Sequence, residues 1–159
     1  MATALPLARA FDALRPKIMQ RLLEIRGSLD PALGRLETRA AQAQIDAVLD
    51  HLGNFLATGD VGLQRAFLHT FLAMRAAEAQ GPASVLAMLV AIGDTAAQVA
   101  QESADPGGPA GSDGAELTLL LTRVTASTAR AINDLIAEEL GRRDAQRAEL
   151  ARRAREAPP

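Results

Sequence analysis

The side chains able to do chemistry are few in this chain, and their spacing does not group them. Neither His51 nor His69 belongs to a His-x-x-x-His pair of the kind that holds a metal on one helix face. On a helical wheel His69 falls opposite Phe67, Leu68 and Phe71, and His51 sits at the flank of its own apolar stripe. Both therefore read as surface histidines. Asp46 and Asp50 share a helix face at i,i+4, but no Glu-x-x-His accompanies them, as a dinuclear bundle site requires. Glu138 and Glu139 are adjacent, Asp105 and Asp113 fall in a polar linker, and all read as solvated. Ser84, Ser103, Ser112 and Ser127 lack a Gly-x-Ser-x-Gly setting. Gly107-Gly108 follows no strand and precedes no Lys-Ser/Thr, so it is not a phosphate loop. There is no cysteine, which excludes disulfides, thiolate metal sites and a cysteine nucleophile. The expectation is a chain with no catalytic residue, no metal site and no cofactor, and not an enzyme.

Six arginines between Arg142 and Arg155 form the one dense charge cluster, set against Asp144, Glu149 and Glu156. No aromatic residues interleave them and no bulky apolar face accompanies them beyond Leu150, so neither nucleic acid nor membrane is the expected partner. A solvated helix with internal ion pairs is expected instead. The net charge of −2 for the whole chain gives no electrostatic case for nucleic acid either.

The elements that must position these residues are helices. Hydrophobic residues make up 48% and aromatics 3%, alanine and leucine dominate, and period-two alternation is rare. The length of 159 residues suits one domain. A first helix over 7–26 carries Leu14, Ile18, Leu22 and Ile25, with Pro16 predicting a kink or break and Gly27 a stop. Asp30-Pro31 reads as N-cap and first-turn proline. The next helix, 31–57, carries Ile45, Val48, Leu49, Leu52, Phe55 and Leu56, with a break expected near Gly34 or the polar stretch after it. Thr58-Gly59-Asp60 stops one helix and caps another, 61–80, with Leu63, Phe67, Leu68, Phe71, Leu72 and Met74 as its stripe. Gly81-Pro82 repeats the punctuation before a helix, 82–102, that carries Val85, Leu86, Leu89, Val90, Ile92 and Val99 and is nearly apolar in its first half. Its longest apolar run, 85–92, is eight residues, short of a membrane span. A cytoplasmic protein is the expectation. Residues 103–114 form a polar, Gly- and Pro-rich flexible loop.

The final helix starts near Ala115, capped by Ser112 or Asp113. Leu117, Leu121, Val124, Thr128, Ala131 and Leu135 recur at coiled-coil spacing and predict a seam for homodimerisation. Residues 1–140 then form the domain and 141–159 a charged helical extension. Over 115–153 this helix would be about 58 Å long, so it either breaks at Gly141 or projects.

Four passages together resemble the N-terminal, globin-like sensor domain of the RsbR family, the co-antagonists of bacterial stressosomes. They are Lys17-Ile-Met-Gln-Arg-Leu-Leu-Glu-Ile25, Leu52-Gly-Asn-Phe-Leu-Ala-Thr-Gly-Asp60, Phe71-Leu-Ala-Met-Arg-Ala-Ala-Glu-Ala-Gln-Gly-Pro-Ala-Ser-Val-Leu-Ala-Met-Leu89, and Ala137-Glu-Glu-Leu-Gly-Arg-Arg-Asp-Ala-Gln-Arg-Ala-Glu-Leu150. The resemblance spans about 14–150. It implies a globin-like bundle of five to six helices without haem, a dimer built on long C-terminal helices, and a non-enzymatic, sensory role in stress signalling. Other stressosome or regulatory proteins are the partners it implies, with Arg142, Arg143 and Arg147 opening the signalling extension. The chain lacks the tryptophan expected in the opening helix, and it stops where the family continues into a STAS domain. Two other classes fit an Ala/Leu bundle. One is a carrier of an apolar, lipid-like ligand, with Phe67, Phe71, Leu86 and Val90 as the candidate pocket. The other is a structural helical scaffold.

Overall fold

The computed structural model describes residues 4–104 and 111–156, and among these all regular structure is helical. In order the helices are α1 (Ala4–Leu29), α2 (Pro31–Arg35), α3 (Thr38–Thr58), α4 (Val61–Ala77), α5 (Pro82–Ser103) and α6 (Gly111–Glu156). The all-α reading therefore holds.

Local chemistry sets most of the boundaries. The Asp30 carboxylate accepts from the Ala32 and Leu33 amides and starts α2, with Pro31 in the first turn. The break expected after Gly34 falls at Leu36, whose extended backbone ends α2. Gly59 takes the left-handed conformation (φ 64°) that closes α3, and the Asp60 carboxylate then accepts from Gly62 and Leu63 to open α4. Helix α4 ends at Ala77, three residues short of the expected end. The left-handed residue there is Ala79 (φ 60°), which disfavours further helix, while Gly81 takes an extended conformation as N-cap of α5.

Two expected stops do not occur. Pro16 lies inside α1 on its exposed side, and the helix continues through it. Gly27 does not end α1 either. It serves a close approach, since a Cβ on Gly34 would stand 2.8 Å from the Gly27 Cα. The long polar loop is also shorter than expected. Ser103 closes α5, and Gly111 to Gly114 belong to α6, so Ser112 and Asp113 lie within that helix rather than capping it. Residues 105–110 of that loop lie outside the described residues.

The core is one cluster fed by every helix. Its largest fully buried members are Phe11, Ile18 and Leu22 of α1, Leu33 of α2, Ile45 and Leu49 of α3, Leu68 of α4, Met88 and Ile92 of α5, and Leu117, Leu121 and Ile132 of α6. Helix α1 packs on α3, α5 and α6, and α5 and α6 make the most extensive contact of all. Gly93 makes that contact possible: a Cβ there would lie 2.0 Å from Thr125 Oγ1. Helix α5 is long and apolar enough, by length and composition alone, to cross a bilayer. In the fold it is the central core helix, with Val85, Met88, Leu89, Ile92, Ala96 and Val99 buried.

Candidate functional site

Helix α6 carries the features that function can use. At 1.5 Å per residue its 46 residues extend for about 69 Å, twice the breadth of a domain this size. Gly141 does not break it, and no neighbouring atom would meet a Cβ placed there. The helix divides by environment rather than by conformation. Up to Leu135 one face is buried, whereas from Leu140 to Arg155 every side chain is exposed except the half-buried Glu149.

The stripe expected to be a dimer seam is occupied by the chain itself. Leu117, Leu121, Val124 and Leu135 belong to the core, and Ala131 packs against it. Thr128 is buried and accepts a 3.0 Å hydrogen bond from Nε2 of Gln64, itself 1% exposed. In this fold these side chains face the chain's own core rather than an open surface. Helical period reveals that a face is apolar. It does not reveal whose helix covers it.

The apolar pocket expected from four residues is not assembled as one site. Phe67 and Phe71 stack at 5.3 Å and line a groove between α3 and α4 with Ala43, Ala47 and Met74. Leu86 and Val90 are half-buried on α5 and do not line it.

His51 corrects another expectation, because it is buried rather than solvated. Its ring stacks on Phe67, centroids 4.1 Å apart and planes within 8°. Burial lowers its pKa to about 4, so it is neutral at pH 7, and its Nε2 has no hydrogen-bond partner. His69 is exposed on α4, as its wheel position implied.

Sequence reasoning passed over Arg75. It is 3% exposed, lies over the Phe71 ring at 5.1 Å, and pairs with Glu78 at 2.8 Å. It follows Leu68 and Phe71 at helical spacing, and that position on the buried stripe is the signal that could have found it. Leu63 and Met74, assigned to the same stripe, are instead 58% and 54% exposed. Beside Arg75, Asp30 ties three elements together. It caps α2, accepts 2.8 Å from Ser84 Oγ of α5, and accepts 3.5 Å from Gln80 Nε2. Burial opposes its ionisation, but the bonds from Ser84, Leu33 and Ala32, with the charge of Arg75, hold its pKa below the usual value.

Where α6 leaves the core, a groove of about 370 Å³ opens between it and α4. Leu72 and Ala76 of α4 and Ile136 and Leu140 of α6 line it, with His69, Arg142 and Arg143 at its rim. Glu139 bonds both arginines, at 2.9 Å each. Farther along, Arg147 faces Asp144 at 3.8 Å, and Glu149 bonds both Arg152 (2.9 Å) and Arg153 (2.8 Å). Those two bonds hold the Glu149 pKa below its usual value. Among the described residues no group of three His, Cys, Asp or Glu side chains could hold a metal ion.

Comparisons with family models, with curated proteins and with solved structures returned no match.

Proposed function

We propose that this chain is a non-enzymatic regulatory domain that works through protein–protein contact at α6. One observation carries the proposal: a single helix is locked into the core along its first part and continues, exposed at every side chain but Glu149, for about four further turns. Its own helix propensity and its i,i+3 and i,i+4 ion pairs hold this second part, and its whole surface is presented for contact with another protein. The buried polar groups lend little to catalysis. Asp30, Gln64 and Arg75 are spent on packing and capping, and the exposed carboxylates are spread over ion pairs.

The finer reading is a haem-free, globin-like sensor of the RsbR kind, acting in bacterial stress signalling from the cytoplasm. It is supported by the four motif passages, by the all-helical architecture and by the long last helix. In this reading a signal at the domain changes how α6 is presented, and the extension passes the change to a regulatory partner. A homodimer, in this reading, uses exposed surface and not the buried stripe.

The photoreactive residue p-benzoylphenylalanine placed at exposed Ala148 is expected to crosslink in cells to a second protein or a second copy. Crosslinking to nothing, in folded protein, would overturn a role through contact at the extension. Titration with haemin is expected to leave its spectrum that of the free compound; a stoichiometric, shifted Soret band would overturn the haem-free reading.

A further inference from the structure

The geometry points to an acidic amphipathic helix of a partner protein as the ligand of the α4–α6 groove, with the basic extension steering it. This inference rests on the contact-based reading above and adds the partner's chemistry.

The floor and the rim ask for different things. The floor is apolar and elongated between two helices: Leu72 and Ala76 on one side, Ile136 and Leu140 on the other. Leu140, lining the groove, is 56% exposed, an unfavourable state for a large apolar side chain. At about 370 Å³ the groove has room for a few leucine-sized side chains, the number that one or two turns of a helix present from its apolar face. The rim is cationic. Among the described residues lining the groove, Glu139 is the one carboxylate, and it is already shared by Arg142 and Arg143.

The extension carries the same excess of positive charge. Glu149 serves both Arg152 and Arg153, and Asp144 sits with Arg147. From Gly141 to Glu156 there are six arginines and three carboxylates, so pairing within the helix leaves a net positive surface facing outward. A ligand that satisfies both parts has an apolar stripe flanked by carboxylates. The stripe supplies affinity, and the carboxylates supply steering and orientation. A second copy's extension fails on both counts, because it carries the same charge and its one large apolar side chain beyond the groove is Leu150. A nucleic acid matches the charge but has nothing to place in an apolar floor, and the extension offers no aromatic ring for base stacking.

The test is fluorescence anisotropy with the full chain. The probe is a labelled peptide of about 18 residues with leucine at i, i+3/i+4 and i+7 and glutamate between. Controls are a lysine-for-glutamate version and a scrambled version with no stripe. The acidic striped peptide is expected to bind and to weaken about tenfold between about 50 and about 300 mM salt. Leu140→Glu and Ala76→Glu, both at exposed positions, are each expected to weaken binding about tenfold with unchanged circular dichroism. Met74→Glu, on the α3 side of α4, is expected to leave it unchanged. Equal binding of the scrambled or lysine peptide would overturn the proposal, as would tighter, competing binding of single-stranded RNA. A sedimenting dimer that Leu140→Glu dissociates, with no peptide binding, gives the groove to a second copy. In that outcome the acidic-partner proposal fails while the contact-based reading survives. No peptide binding, no dimer and no crosslink from position 148 would end both.

Discussion

The two parts of α6 have the same backbone conformation and opposite reasons for it. Before Leu135 the helix is held by neighbours: α5 lies against it, Gln64 reaches Thr128, and its leucines fill the core. After Leu140 it is held by its own sequence, through alanine, arginine and glutamate propensity and i,i+3 or i,i+4 pairs. Helical conformation alone is thus a poor guide to what a segment is for. Its neighbours, or the lack of them, decide that.

The widest separation between the two parts is expected from one charge placed in each. Leu121→Asp puts an unpaired carboxylate in the core and should cost at least about 4 kcal/mol, enough to unfold the chain. Leu150→Glu should leave the melting temperature where it was. Similar shifts for both, by thermal circular dichroism, would erase the distinction.

Next in size is the α5–α6 contact. Gly93→Ala should cost about 1–3 kcal/mol, because its Cβ meets the Thr125 side chain. Thr125→Ala should recover part of that loss in the double variant, and strict additivity would show that the contact is not what matters.

The same contrast governs pH. His51 is buried with a folded pKa of about 4, below its ordinary 6.5. The unfolded chain therefore binds the proton more readily. The stabilisation is complete above pH 6.5 and is lost as pH falls towards 4, a loss of about 3 kcal/mol over that window. His51→Phe should flatten this part of the pH profile in denaturant titrations. A profile unchanged by the substitution would place the histidine in solvent. The smallest effect is expected in the extension: Glu149→Ala removes one ion-pair partner from each of two arginines and should leave the melting temperature unchanged while slightly lowering helical content.

Legibility in the sequence followed the range of the forces involved. Asp30-Pro31, Gly59 and Asp60 were readable because caps and left-handed turns are satisfied within three or four residues. The turn at Ala79 was not, because a left-handed alanine has no sequence signal and is imposed by how α4 meets α5. The stripe from Leu117 to Leu135 was readable as apolar, but period alone does not say whose helix covers it, and here the preceding helix, α5, supplies most of the cover. His51 and Arg75 were misjudged or missed for the same reason. Each is polar by type and buried by a neighbour, Phe67 in one case and the Asp30–Glu78 surroundings in the other. The extension was read correctly as charged and solvated. Its continuity through Gly141 was open because one glycine lowers helix stability by only about 1 kcal/mol.

The place of α5 in the chain also bears on how the protein is made. Its principal cover, α6, follows it in synthesis, and the burial is incomplete until Leu135 has emerged. At roughly 5–20 residues per second the ribosome leaves this apolar helix half-dressed for a few seconds. During that interval it has the length and composition of a membrane segment.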